Sequence, residues 1–166
     1  MPETFLIRQM VAEDWLSVAE IYKQGIATGN ATFEEEVPPW EIWDKTHLKT
    51  CRMVAEINGK IAGWAALSPV SGRCVYAGVA EVSVYISENH RGQKLGAQLL
   101  EKLIQESELN NFWTLQAGIF PENEPSIRIH TALGFRIVGK REKIGELNGV
   151  WRDALLLERR SKTIGI

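Results

Sequence analysis

The stretch Ala80–Leu103, AEVSVYISENHRGQKLGAQLLEKL, decides how this chain is read. Val82, Val84 and Ile86 alternate with Glu81, Ser83 and Tyr85, the period-two pattern of a strand with one buried face. A polar turn, Ser87-Glu88-Asn89-His90, leads into Arg91-Gly92-Gln93-Lys94-Leu95-Gly96-Ala97. Beyond it, Leu95, Leu99 and Leu103 recur at the spacing of one helical face. A strand, a small-residue turn and a helix start bring free backbone N–H groups together at the positive end of a helix dipole. That arrangement suits a phosphate or pyrophosphate and predicts a nucleotide cofactor.

Two familiar phosphate sites do not fit. The P-loop pattern GxxxxGK[ST] is absent, and Gly92 and Gly96 are wrongly spaced for the dinucleotide fingerprint GxGxxG. The segment instead resembles the RxxGx[GA] pyrophosphate loop of the GNAT family of N-acetyltransferases. It reads Arg91-Gly92-Gln93-Lys94-Leu95-Gly96, with Lys94 where the first motif glycine usually stands. A lysine keeps its backbone N–H, so the cradle survives. Further on, Asn123-Glu-Pro-Ser126-Ile-Arg-Ile-His130-Thr-Ala-Leu133-Gly134-Phe135 is similar to the family's Asn-x-x-Ala-x-x-x-Tyr followed by Leu-Gly-Phe. Ser126 replaces the alanine and His130 the tyrosine. Two motifs in the right order extend the resemblance from about Phe5 to Leu157.

Bulk properties agree with a small soluble enzyme. At 166 residues the chain suits one domain, taken as residues 1–166. The formal net charge of −2, with scattered basic residues, gives no basic patch for nucleic acid. No apolar run approaches a membrane span, and the start MPETFLIRQ lacks a signal-peptide pattern. Cys51 and Cys74 have no metal-ligand spacing, so no metal is expected and a reducing, cytoplasmic setting is.

Element by element, the pattern predicts strands at Phe5–Arg8, Met53–Ile57, Ile61–Leu67, Val79–Ile86, Trp113–Ala117, Arg136–Lys143 and Val150–Leu157. Asn58-Gly59 marks a hairpin. Helices are expected from Ala12-Glu13-Asp14 to near Gly25–Gly29, from Pro38-Pro39 through Trp40, Trp43 and Leu48, from Gly92 to Glu108, and from Glu124 to Leu133. The order β-α-α-β-β-β-α-β-α-β-β is an α+β plan with a mixed central sheet flanked by helices. It is also the plan of the GNAT fold.

The resemblance implies acetyl-coenzyme A as co-substrate and acetyl transfer to an amine. An ammonium must lose a proton before it can attack, so a base is required. Glu81 is the leading candidate, a carboxylate at the start of a strand that otherwise reads as buried, where burial would favour a base of useful strength; on spacing alone it reads equally well as a surface glutamate at a strand end. The run Glu81-Val82-Ser83-Val84-Tyr85-Ile86 resembles the catalytic-glutamate context of the phosphinothricin and methionine sulfoximine acetyltransferase branch. His130 is the other candidate. An imidazole can move a proton either way near neutral pH, although a lone helical histidine often merely packs. The resemblance favours a catalytic role for both, with the division between base and acid open. It further implies that Val84, Tyr85 and Ile86 pair with the pantetheine amides, that Arg91, Gly92, Gln93, Lys94, Leu95, Gly96 and Ala97 hold the pyrophosphate, and that Asn123 and Ser126 face the pantetheine arm.

Acceptor contacts are expected at Phe33, Arg73, Cys74, Val75, Ser83 and Tyr85. A guanidinium at Arg73 suits a carboxylate or phosphinate, and its plainer reading is a solvated loop arginine. The implied acceptor is a small amino-acid-like amine such as phosphinothricin, or methionine sulfoximine or sulfone, handled by a homodimer with the site near the subunit interface. Other acceptors (a protein N-terminus, a polyamine, an aminoglycoside) and a non-catalytic acetyl-coenzyme A-binding module are the alternatives.

Overall fold

The computed structural model describes residues 4–166. The strands are β1 (Phe5–Gln9), β2 (Met53–Ile57), β3 (Lys60–Pro69), β4 (Val79–Ile86), β5 (Thr114–Ile119), β6 (Arg136–Leu147) and β7 (Val150–Arg160). The helices are α1 (Trp15–Ala27), α2 (Trp40–Thr46), α3 (Leu95–Leu109) and α4 (Glu124–Ala132). Strands lie in the order β1-β2-β3-β4-β5-β7-β6, and every neighbouring pair is antiparallel except β4–β5. This is the α+β mixed-sheet plan that the sequence predicts.

Alternation in β4 sorts side chains onto two cores. Val82 joins Leu99, Leu100 and Leu103 of α3, together with Leu67, Leu115 and Leu157, on one face of the sheet. Each fully buried leucine there contributes roughly 1.5–3 kcal/mol. On the other face Val18 and Tyr22 of α1 pack with Trp43 of α2 and Trp64 of β3, and Tyr85 of β4 lies against them. The strand thus has α3 beneath one face and α1 beneath the other.

Several boundaries differ from expectation, each for a local reason. Ala12–Asp14 is a 3-10 turn preceding α1. There the Asp14 carboxylate accepts bonds from the Val11 N–H and the Arg8 guanidinium. Leu48 lies beyond α2, because the buried Arg52 guanidinium binds the carbonyls of Asp44, His47 and Leu48 and terminates the helix. Helix α3 begins at Leu95 rather than Gly92. Gly92 and Lys94 sit at φ of 78° and 65°, which a right-handed helix cannot include. Strand β5 starts one residue late and continues to Ile119, held by its ladder to β7. Strand β6 runs past Lys143 to Leu147 through a bulge, and β7 reaches Arg160. The Asn58-Gly59 hairpin is as expected, with both residues at positive φ.

Candidate active site

The site originates in how β4 and β5 part. Their parallel ladder spans only Val79↔Thr114, Ala80↔Leu115 and Glu81↔Gln116. Beyond Glu81, β4 remains paired to β3 on one edge while its other edge is released from the β5 ladder. Backbone N–H and C=O groups that a sheet would consume are therefore free along Val82–Ile86. An extended ligand can pair there as a strand would. Two adjoining cavities meet at this edge and share Ala31, Val84, Tyr85, Asn123, Ser126 and His130.

The first cavity, about 740 Å³, runs from Val84, Tyr85 and Ile86 across the start of α3 to α4. No side chain caps α3, so its leading N–H groups lack intrahelical partners. Lys94 holds a left-handed conformation immediately before the helix, and the loop residues Arg91 and Gly92 and the helix start at Leu95 and Gly96 line the same cavity. Gly96 lies close beneath: a Cβ there would stand 3.3 Å from Ile129 of α4. Arg91, Lys94 and Arg128 add cationic side chains to the lining. Free amides, a helix N-terminus and three cations fit a pyrophosphate. The adjoining free strand edge fits a chain of amides. Of the residues expected to hold the pyrophosphate, Arg91, Gly92, Lys94, Leu95 and Gly96 line this cavity, and Gln93 and Ala97 do not. Gly25, Asn30, His90 and Arg128 line it without having been foreseen.

Asn123 and Ser126 border both cavities, but Asn123 is occupied structurally. Its Oδ1 accepts from the Ser126 N–H at the start of α4, and its Nδ2 donates to the Asn30 carbonyl at 3.2 Å. Asparagine at this place thus joins α4 to the loop after α1. Arg152 of β7 reinforces the same loop, donating to the Gly29 carbonyl and to Asn30 Oδ1, both at 2.8 Å, and to Glu122 at 3.2 Å.

The second cavity, about 450 Å³, lies under that loop and is lined by Thr32, Phe33, Glu81, Ser83, Tyr85, Phe120, His130 and Arg141, among others. Phe33 meets Phe120 edge-on at 4.8 Å and rests on Gly145, where a Cβ would come within 2.8 Å of its ring. Tyr85 is equally fixed, stacked on Trp64 at 4.8 Å and pressed against Gly25. Burial pushes its phenol well up, so it stays neutral.

His130 is buried at the junction of the two cavities. Its Nδ1 lies 2.7 Å from the Ser126 carbonyl, an oxygen that can only accept. Nδ1 therefore carries the proton, and Nε2 presents a lone pair. Burial holds the ring below the ordinary imidazole range, which favours the neutral base. Glu81, half-buried on β4, borders only the second cavity, and its Oε1 accepts from Gln116 Nε2 at 3.2 Å. The two proton-handling candidates thus stand at different depths of one passage.

Arg73, Cys74 and Val75 are not brought into either cavity. They are exposed on the β3–β4 connection, with the Arg73 guanidinium over the Tyr76 ring at 5.4 Å. Arg141, Ile144 and Gly145 of β6 line the second cavity instead. Nothing in the sequence pattern marked them, because they reach the cavity through the bulge in β6.

A cleft between splayed strands, with an anion cradle at one end and a buried neutral imidazole where it meets a small pocket, defines an acyl-transferring enzyme built for a pantetheine cofactor. Residues 13–135 match the family model described as the acetyltransferase (GNAT) family. The chain belongs to the GNAT family and is an N-acetyltransferase that uses acetyl-coenzyme A. It is 31% identical over 151 residues to phosphinothricin N-acetyltransferase of Streptomyces viridochromogenes, covering 89% of this chain and 82% of that protein. It is 27% identical over 161 residues to L-methionine sulfoximine/L-methionine sulfone acetyltransferase of Pseudomonas aeruginosa, covering 92% of each. The crystal structure of a phosphinothricin acetyltransferase from Sinorhizobium meliloti in complex with acetyl-coenzyme A superposes with a TM-score of 0.85 at 28% identity, covering 98% of this chain and 96% of that one.

Proposed function

We propose that this enzyme acetylates the α-amine of a small amino-acid-like acceptor, of the phosphinothricin or methionine sulfoximine and sulfone kind. The observation that carries the reading is the second cavity. It is too small for a folded partner, walled by Phe33 and Phe120, and opens onto a neutral His130 at the cofactor cleft. The names of the relatives point the same way.

Bound acetyl-coenzyme A supplies an already activated thioester. The chain's own task is alignment and proton management. Glu81 draws the acceptor's ammonium into the second cavity. His130 Nε2 takes the proton that the ammonium must lose before its nitrogen can attack and passes it to solvent, and the second proton, shed from nitrogen as the C–N bond forms and the C–S bond breaks, goes to the departing thiolate. Tyr85 and the free edge of β4 keep the two reactants in register. Transfer is direct, within one ternary complex.

A homodimer belongs to this proposal. Val70, Val75 and Tyr76 leave exposed apolar surface on the β3–β4 connection beside Arg73, which suits a contact with a second subunit. The cytoplasm is the proposed compartment, where both free cysteines, Cys51 and Cys74, stay reduced. Thiol release from acetyl-coenzyme A, followed over a panel of amino acids, polyamines and peptides, tests the reading. Turnover confined to polyamines or peptides would replace it with another acceptor class.

A further inference from the structure

We infer that Arg141 selects the acceptor by gripping its carboxylate, so that a single chain reads both charges of an amino acid. The inference rests on the acetyl-transfer reading of the second cavity and names the part of the acceptor that the cavity recognises.

Among the residues lining that cavity only Glu81 and Arg141 carry a fixed charge. They come from opposite sides of the opened sheet, Glu81 from the end of the β4–β5 ladder and Arg141 from the outer strand β6. A zwitterion has the matching pair: an ammonium for the Glu81 and His130 side, and a carboxylate for the other. A diamine or aminoglycoside would instead place a cation against Arg141, which like-charge repulsion disfavours.

The strand is shaped to present this side chain. Arg141 pairs with Ala154, and the next ladder pair is Gly145 with Arg152. Residues 142–144 therefore bulge out opposite Asp153 alone, and Lys143 takes a φ of 43° within the bulge. Such a bulge bends its strand and re-aims the neighbouring side chains. Here it brings Arg141, Ile144 and Gly145 to the cavity while Gly145 stays small enough to pass beneath Phe33.

Arg141 is also uncommitted. Among the described residues its guanidinium makes neither a hydrogen bond nor an ion pair. Asp153, the acid next to its cross-strand partner, already accepts from the Lys143 N–H at 2.8 Å and faces Lys140 at 4.0 Å. Arg152, by contrast, is spent on clamping the loop. A free planar fork at the rim of a pocket of about 450 Å³ is suited to a bidentate carboxylate.

The test compares an amino-acid acceptor with its carboxamide, in thiol-release kinetics on the wild type, Arg141→Gln, Arg141→Lys and Arg73→Gln. Melting temperatures confirm folding, which an exposed edge-strand residue should not disturb. In Arg141→Gln the preference for the acid over the carboxamide should fall about tenfold, through KM, the scale of a partly exposed charge-assisted contact. Arg141→Lys should restore part of it, and Arg73→Gln should leave the preference in place. An unchanged preference in Arg141→Gln, or its loss in Arg73→Gln instead, overturns the inference while acetyl transfer stands. Wild-type enzyme that acetylates no amino acid overturns the acceptor reading itself.

Discussion

Replacing His130 with Gln probes the division of labour at the junction. The ring is buried, its Nδ1–H is spent on the Ser126 carbonyl at 2.7 Å, and only Nε2 is free to receive a proton. Glutamine fills similar space and has no basic nitrogen. Loss of a positioned base typically costs about 10²- to 10⁴-fold in rate. At 1.36 kcal/mol per decade that is roughly 2.7–5.4 kcal/mol of barrier. Burial lowers the pKa of His130, so the base form persists below the ordinary imidazole value of about 6.5. The acid limb of kcat/KM should therefore inflect below that value in the wild type and vanish in His130→Gln. Glu81→Gln, on the acceptor side only, should keep that limb and raise the acceptor KM. The assay is thiol release across pH 5–9, with melting temperature as the folding control. A folded His130→Gln enzyme with wild-type turnover would refute the assignment, and loss of the acid limb in Glu81→Gln alone would transfer the base to the carboxylate.

Two further outcomes follow from the same geometry. Arg152→Met removes charged-donor bonds to Gly29 and Asn30 and a contact over the Phe120 ring at 4.1 Å. It should cost about 2–4 kcal/mol, or very roughly 4–16 °C in Tm, and raise the acceptor KM as the Phe33 loop loosens; an unaltered KM would show the clamp to be irrelevant to the pocket. Stability should also fall on mild acidification. His47 and His130 are both lowered by burial, so below about pH 6.5 the unfolded chain binds protons that the native state refuses. Each contributes up to about 1.4 kcal/mol per pH unit until its native pKa is passed. Asp14, held low by Arg8, adds its loss only at lower pH, as its native pKa is approached. Urea midpoints at pH 7, 6 and 5 measure this, and equal midpoints would contradict it.

The order of elements was legible because each signal is local. Strand β4 announces itself through alternation, the hairpin through Asn58-Gly59, and α3 through Leu95, Leu99 and Leu103, all of which are buried. Phe33, Glu81, Ser83, Tyr85 and His130 all line the second cavity. The start of α3 was hidden because Lys94 stands in a left-handed conformation that a glycine would have signalled. Arg141 was hidden for a different reason. A bulge depends on pairing with a partner strand, so no spacing within β6 shows which of its cations turns inward. Arg73 reads as a site residue from the chemistry of a guanidinium and from the resemblance, neither of which says which surface of its own chain the β3–β4 connection faces; there it is exposed, over Tyr76.

The most direct measurement is the mass and site of acetylation of the acceptor after incubation with acetyl-coenzyme A. Phosphinothricin, methionine sulfoximine and methionine sulfone are offered alongside spermidine and a short peptide. One acetyl group is expected on the α-amine of the small amino-acid acceptors, formed in step with thiol release. Acetylation of spermidine or the peptide with the amino-acid acceptors untouched, or thiol release with no acetylated amine, would contradict it.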